Sequence, residues 1–321
     1  MRKPKTCKAH RKYYESWKRT GDYELAAKDC GVGVETIRRG CRQVKASLSE
    51  TQETPDAMLM ELKSVFTPAE IRSMIKGKKS AKETHTAVHD FDGKRVRIGV
   101  MTDTHIGSKY TNLDYMYEAF KVFEDKNVDM LCHAGDVCEG MSNRAGHVLE
   151  CTEIGYQQQR DKAIEVFSKY THSPMYFISG NHDDWFKLSN GACIVQDICS
   201  NLPNANFLGH SEGNIQIGAT QVRLWHGLDG SSYAHSYRVQ KIIESLTGGD
   251  KPNVLICGHT HKAFYLYDRH VHCISGGCIQ KQSSWMRGKR LPAHTGFWVI
   301  DMVLNDKGVG SFSSEFFPFY A

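Results

Sequence analysis

The run Val96-Arg97-Ile98-Gly99-Val100-Met101-Thr102-Asp103-Thr104-His105 decides how this chain is read. Its first part is an apolar stretch of strand length, and it stops at a carboxylate and an imidazole two residues apart. The same design returns four times along the chain. Val128–Cys132 leads to His133-Ala134-Gly135-Asp136, and Met175–Ile178 leads to Gly180-Asn181-His182-Asp183. Val222–Trp225 delivers His226-Gly227, and Val254–Cys257 delivers Gly258-His259-Thr260-His261. Open α/β sheets bind ligands beyond the carboxyl ends of their strands, so these segments bring carboxylate, imidazole and amide groups to one rim.

Between the apolar runs lie helical stretches at Leu113–Lys126, Glu153–Tyr170, Trp185–Cys199 and Tyr233–Leu246. Alternating strands and helices imply a layered α/β domain, with Val271–Ser275 and Phe297–Val303 as later strands of a second sheet. In Asp103-x-His105 and His259-x-His261, an extended strand end would turn both side chains to one side. Gly135, Gly180, Gly227 and Gly258 allow tight turns and close backbone approach. Oxygen and imidazole donors without thiolate suit Mn, Fe or Zn. A lone histidine such as His226 is ordinarily a satisfied core or surface residue; its place in the ordered set makes it a ligand candidate.

Taken in order, these segments resemble the five motifs of the calcineurin-like metallophosphoesterase superfamily: Asp-x-His, Gly-Asp, Gly-Asn-His-Asp/Glu, a lone His, and Gly-His-x-His. The resemblance spans about residues 96–300. It implies an α/β fold, a layered sandwich of two sheets flanked by helices, and a two-metal-dependent phosphoesterase. It also implies that Asp103, His105 and His261 hold one divalent ion, that Asn181, His226 and His259 hold the other, and that Asp136 bridges them. Mn is the expected metal, with Fe or Zn as options. A hydroxide between the ions would attack phosphorus. His182 would stabilise the phosphate charge or protonate the leaving oxygen, with Asp183 holding the His182 ring through a hydrogen bond.

Outward from this domain, the composition turns basic. Residues 1–50 carry 13 of the 41 Lys and Arg but only 6 of the 36 Asp and Glu. A basic head on a near-neutral body suggests a polyanionic partner, against the plainer reading of a solubilising tail. Helical spacing recurs from His10 to Arg19. Asp22 suits an N-cap before Glu24-Leu25-Ala26-Ala27-Lys28, and Cys30-Gly31-Val32-Gly33-Val34 suits a turn. The stretch resembles a helix-turn-helix, which would place Thr36, Arg38, Arg39 and Arg42 on the DNA-facing helix. A plain helical hairpin that contacts protein is the alternative.

The domains are therefore expected at 1–48 (helix-turn-helix-like), 49–95 (linker with one helix, starting near Thr67-Pro68-Ala69-Glu70) and 96–321 (phosphoesterase). The chain has 321 residues, 40% of them hydrophobic, enough for one large core and a small appended domain. No run reaches the roughly 18 apolar residues of a membrane span. The odd count of 11 cysteines, none in a Cys-x-x-Cys pair, fits a reducing cytoplasm better than a disulfide framework.

The substrate is read from the loops. Protein Ser/Thr phosphatases of the superfamily carry Asp-Arg-Gly in the second motif and Glu after Asn-His; here Glu139-Gly140 and Asp183 stand instead. The loop from Met141 to His147, with Arg144 and His147, looks more like the DNA-processing nucleases. Trp285-Met286-Arg287-Gly288-Lys289-Arg290 joins an aromatic to three cations, a pattern that stacks a base and grips a backbone, or else a solvated turn. The leading expectation is a DNA phosphodiesterase or nuclease docked on nucleic acid by its N-terminal domain. The alternative is a phosphodiesterase or phosphatase for nucleotides or other small esters. A helix-turn-helix joined to this domain also resembles modular phage proteins, implying a bacterial or phage-infected cytoplasm.

Overall fold

A computed structural model describes residues 8–49, 67, 86–89, 91, 93–228, 232, 234–247 and 249–320. Of the helix expected to start near Thr67-Pro68-Ala69-Glu70, all but Thr67 falls outside the described residues. The chain divides into two compact units, residues 1–80 and 81–321.

The first unit is helical: α1 (Lys8–Thr20), α2 (Tyr23–Cys30) and α3 (Val34–Ser49). Asp22 starts α2 by accepting the amide hydrogens of Glu24 (2.6 Å) and Leu25 (3.1 Å) at Oδ1, satisfying donors that the first turn leaves free. Gly31, at φ 68°, ends α2 in the left-handed conformation that only glycine adopts without strain. Ala26, Ala27, Ile37 and Cys41 form the core, packed against Trp17 and Tyr23, whose rings stack at 5.5 Å.

The second unit is a two-sheet sandwich. One sheet contains, in spatial order, β12 (Gly308–Pro318), β11 (Gly296–Asn305), β2 (Arg95–Met101), β3 (Met130–His133), β4 (Met175–Ser179) and β5 (Ala205–His210). The other contains β1 (Thr86–Val88), β6 (Glu212–Ile217), β7 (Thr220–Trp225), β8 (Val254–Cys257), β10 (Val271–Gly276) and β9 (Ala263–Asp268). Strands β2 to β5 run parallel, as do β7, β8 and β10. Alternate residues such as Ile98, Val100, Cys132 and Ile178 meet Val222, Leu224, Val254 and Ile256 between the sheets. Residues of the opposite pleat, including Leu131 and Phe177, pack under α4 (Leu113–Asp125), α5 (Tyr156–Phe167) and α7 (Ile194–Ser200). On the far face, Val239 and Ile243 of α8 (Tyr237–Ser245) cover Leu255 and Cys273. Both sheets are thus covered, which is why β3, β4 and β8 read as unbroken apolar runs.

The structure corrects several expectations about elements. The helix expected over Trp185–Cys199 is two, α6 (Asn181–Asn190) and α7, because Gly191 at φ 80° ends the first. The expected strand Phe297–Val303 lies within β11, which joins the first sheet antiparallel to β2 rather than the second. The expected linker contains β1, paired in parallel with β6. No helix among the described residues is long and apolar enough to cross a membrane.

Candidate metal centre

The centre is built where β2, β3, β4, β7 and β8 end. Asp103 and His105 follow β2, Asp136 follows β3, Asn181 opens α6 after β4, His226 follows β7, and His259 and His261 follow β8. All seven expected ligand positions converge, although by a different backbone route. Instead of extended strand ends, Asp103 (φ 51°), His105 (47°), Asp136 (51°), His259 (73°) and His261 (53°) are left-handed. That conformation costs a non-glycine residue roughly 1–2 kcal/mol and tends to collect at functional sites. Gly180 is required for a different reason. A Cβ there would lie 2.2 Å from Asp136 Oδ1 and 2.7 Å from His226 Nε2, so only glycine lets β4 pass behind the ligands.

Among the described residues three groups result: Asp103, His105 and His261 form the first, Asp136, His226 and His259 the second, and His105, Glu139 and His182 a third that shares His105 with the first. In the first, His261 Nε2 lies 3.3 Å from Asp103 Oδ1 and 3.2 Å from His105 Nε2. In the second, Asn181 Oδ1 lies 2.8 Å from His259 Nδ1 and 3.2 Å from His226 Nε2. Asp136 reaches both the first and the second, its Oδ2 being 3.1 Å from His226 Nε2 and 3.8 Å from His105 Nε2. Asp103, Asp136 and His226 are almost wholly buried.

The hydrogen bonding shows that these residues fit divalent cations. His226 Nδ1 lies 2.7 Å from the Ala134 carbonyl, which can only accept, so that nitrogen carries the hydrogen. Its Nε2 then faces two more oxygen acceptors, on Asp136 and Asn181. Only a proton or a cation reconciles such an arrangement. Without metal a proton does so: burial opposes it, but the Asp136 carboxylate holds His226 up at about 9. His261 is likewise raised well above the usual imidazole range; burial opposes this, and Cys278 and Asp103 outweigh it. A carboxylate and imidazole set without thiolate matches borderline and hard divalent ions.

Around the ligands stands a layer that the sequence did not disclose. Glu139, buried, places Oε2 3.1 Å from His105 Nδ1 and Oε1 2.9 Å from His147 Nε2. Gln280 Nε2 donates to the same carboxylate at 3.1 Å, and Thr102 Oγ1 donates to Asp103 Oδ2 at 2.5 Å. Burial opposes the charge on Glu139, yet His105 and His147 hold it well below the usual carboxylate range. A second carboxylate three residues beyond Asp136 was the available signal, in a position read only as a departure from Asp-Arg-Gly.

His182 lies beside the first cluster, its ring edge-on to His105 at 4.6 Å and against Trp185 at 4.0 Å. Its Nδ1 is 2.7 Å from the Glu139 carbonyl and therefore carries the hydrogen, leaving Nε2 as an acceptor. Burial lowers its pKa to about 4, so it stands neutral at pH 7 in the metal-free protein. Asp183 does not hold the His182 ring as expected. It accepts the amide hydrogens of Val137 (3.0 Å), Cys138 (2.8 Å) and Gly180 (2.9 Å), tying the β3 loop to the β4 turn. The cause is local geometry: the Glu139 carbonyl already occupies His182 Nδ1. Burial and the nearby Asp136 push Asp183 up to about 7, while the three amides pull the other way.

The expected substrate contacts divide. Arg144 and Trp285 line a cavity of about 430 Å³ over the ligands. His147 also borders it, but both its nitrogens are engaged, Nδ1 by the Ser142 amide (3.1 Å) and Nε2 by Glu139. It is a buried support, not a free contact. Arg287 is exposed and outside the cavity lining. In the N-terminal unit, Arg38, Arg39 and Arg42 are exposed and Thr36 half-buried on α3; Glu35 pairs with Arg38 at 3.9 Å and with Arg42 at 3.1 Å.

A covered two-sheet sandwich with carboxylate, imidazole and amide ligands gathered at its strand ends defines a class, the divalent-metal hydrolases. The chain belongs to the calcineurin-like phosphoesterase superfamily, whose domain matches residues 96–290, and is a metal-dependent phosphoesterase. Among solved structures it is similar to an archaeal phosphodiesterase (17% identity, TM-score 0.42, 69% of this chain and 100% of that one). It is also similar to zinc-complexed Vps29 from Entamoeba histolytica (13%, 0.37, 70% and 100%) and to vacuolar protein sorting 29 from Cryptosporidium parvum (15%, 0.39, 71% and 100%). A comparison with curated proteins found no match for this chain.

Proposed function

We propose that the protein is a two-metal DNA phosphodiesterase, positioned on its substrate by residues 1–48. The observation that carries the DNA reading is the α2–turn–α3 unit, which presents Arg38, Arg39 and Arg42 on the exposed side of one helix. Exposed ion pairs such as those with Glu35 are worth only about 0–1 kcal/mol, so phosphates compete with them readily.

Two divalent ions, when bound, supply charge stabilisation for the phosphate and lower the pKa of a bound water. Asp103, His105 and His261 would hold one and Asn181, His226 and His259 the other, with Asp136 between. His182 turns Nε2 to the cavity, its ring fixed by the Glu139 carbonyl; that nitrogen would donate to the phosphate or its leaving oxygen once it has taken up a proton, which the negative charge of a bound phosphate favours. The α6 N-terminus opens at the same place, and its dipole favours an anion there. Mn²⁺ is the metal to try first for this donor set.

The direct test is hydrolysis of single- and double-stranded oligonucleotides with Mn²⁺ by the full chain and by an Arg38→Ala/Arg39→Ala/Arg42→Ala variant. The variant should bind DNA more weakly, with a flatter salt dependence, and hydrolyse bis(p-nitrophenyl) phosphate as the unaltered chain does. Turnover of that diester with every oligonucleotide left intact would sink the DNA reading. It would favour the second reading, nucleotides or other small phosphate esters, which the modest size of the 430 Å³ cavity supports.

A further inference from the structure

One wall of the cavity is required neither by the fold nor by the ligands. Trp285, in the short helix α9 (Ser284–Gly288), is 44% exposed, although the next residue, Met286, is buried. The helix is fastened down: Ser283 Oγ accepts the Met286 amide hydrogen at 3.1 Å, and the Tyr110 hydroxyl lies 3.2 Å from Ser284 Oγ. The indole is therefore held out from an anchored turn. Arg144, bound to Glu150 at 2.6 Å, places its guanidinium carbon 5.5 Å from the centre of that indole. Trp185, on α6, stands against His182 and borders the same cavity. An indole is one of the largest apolar surfaces a chain can bury, and this one is kept at a cavity mouth with a cation over its face.

We infer that this wall is a nucleobase slot: an ester whose phosphate lies on the ligand floor directs its base to the indole of Trp285 and the Arg144 guanidinium that lies over it, with Trp185 lining the same cavity. The inference rests on the phosphoesterase reading of the floor and narrows the substrate to a nucleobase-bearing ester. Every base offers a π-face, so such a slot discriminates little among sequences. At about 430 Å³ the cavity holds one nucleotide and not a stretch of double helix. Two sources supply that chemistry, a free nucleotide or an unpaired nucleotide of single-stranded or frayed DNA. A base inside a duplex would first have to leave its stack.

The test uses the full-length protein loaded with Mn²⁺ and two probes that differ only in the base, deoxyadenosine 5′-monophosphate and 2-deoxyribose 5-phosphate. Affinities come from calorimetry, and stacking from quenching of tryptophan fluorescence. The nucleotide should bind about tenfold tighter or more, the range expected for one stacked base. Trp285→Ala should remove that preference and the quenching, while Trp285→Phe keeps part of both. Equal affinity for the two probes, or a base preference that survives Trp285→Ala, overturns the slot. A second arm separates the sources with single-stranded oligonucleotides carrying either a normal or an abasic residue at the cleaved position. Slower abasic cleavage by the unaltered protein, levelled in Trp285→Ala, places the slot on DNA. A base preference in the binding arm with no oligonucleotide cleaved keeps the slot and removes the DNA reading. Cleavage indifferent to the abasic residue, with equal probe binding, removes the slot and keeps the DNA reading.

Discussion

The two halves of the ligand cluster use similar donors but are anchored differently. In the half formed by Asp103, His105 and His261, His105 is steadied by the Glu139 side chain and Asp103 by the Thr102 hydroxyl. In the half formed by Asn181, His226 and His259, His226 is steadied by the main-chain carbonyl of Ala134. A carboxylate partner raises the basicity of an imidazole ligand and can be altered by one substitution. A main-chain partner comes with the strand end itself. The first half is therefore tunable at His105 through a side chain, although the His259 amide also donates to both oxygens of Asp103 (3.0 and 3.1 Å), whereas His226 in the second half is fixed by the fold.

Asp136 belongs to both halves, so Asp136→Ala should do the most harm. Activity should disappear, and a metal titration should lose its two-ion stoichiometry. Two intact binding steps in this variant would show that the halves are independent and that Asp136 does not bridge.

His182→Ala spares the bonds that hold the ligands: residue 182 reaches Asp136 Oδ1 through its main-chain amide, at 2.9 Å, and the ring bonds the Glu139 carbonyl rather than the carboxylate that steadies His105. Metal content should stay at two ions, while turnover falls about 10²–10⁴-fold if the ring takes part in proton transfer. Unchanged turnover would remove His182 from the chemistry.

The fixed half makes a pH prediction for the metal-free protein. Its His226 is held protonated up to about 9, above the ordinary imidazole value. A raised folded pKa contributes stability that is fully present below about 6.5 and is lost as pH rises through about 9. In chelator, the protein should therefore lose on the order of 3 kcal/mol between those values, read by denaturant unfolding. Metal should relieve the loss, and its uptake should release protons, measurable by calorimetry in buffers of different ionisation enthalpy. A flat metal-free stability profile over that range would contradict the acceptor-facing geometry of His226.

Much of this centre was legible because each ligand closes an apolar run, and strand ends are where such sheets put their chemistry. The supports were not legible. Glu139 and Gln280 stand 141 residues apart and meet only through the fold, and neither is an unusual residue in its local sequence. Asp183 was assigned to the wrong partner because adjacency to His182 says nothing about where a carboxylate points once a helix begins. Strands β5, β9 and β12 escaped because their runs include exposed or half-buried positions, and β6 because Gly213, Asn214 and Gln216 interrupt its largely buried run; none has the continuous apolar texture of β3 or β8. β11 was recognised as a strand but given to the wrong sheet, since sheet membership is decided by long-range pairing.

Glu139→Gln tests the tunable half directly. The amide fits the same space but cannot accept from both His105 and His147 as the carboxylate does. One of the two metal-binding steps should weaken by about 10–100-fold while the other stays put. Equal weakening of both would mean that the halves share their anchoring after all.

The smallest effect expected comes from Gln280→Ala, one layer further out. Gln280 donates to Glu139 Oε2 and to Ser108 Oγ (2.9 Å), so it fixes the carboxylate that in turn fixes His105. Losing one neutral donor to a carboxylate that keeps its two histidines should cost roughly 1 kcal/mol, a few-fold in affinity. That loss should fall on the same binding step as Glu139→Gln. In the Glu139→Gln background, Gln280→Ala should add almost nothing, because the charge it steadied is already gone. Full additivity of the two changes would place Gln280 outside the His105 chain of contacts and leave the tunable half resting on Glu139 alone.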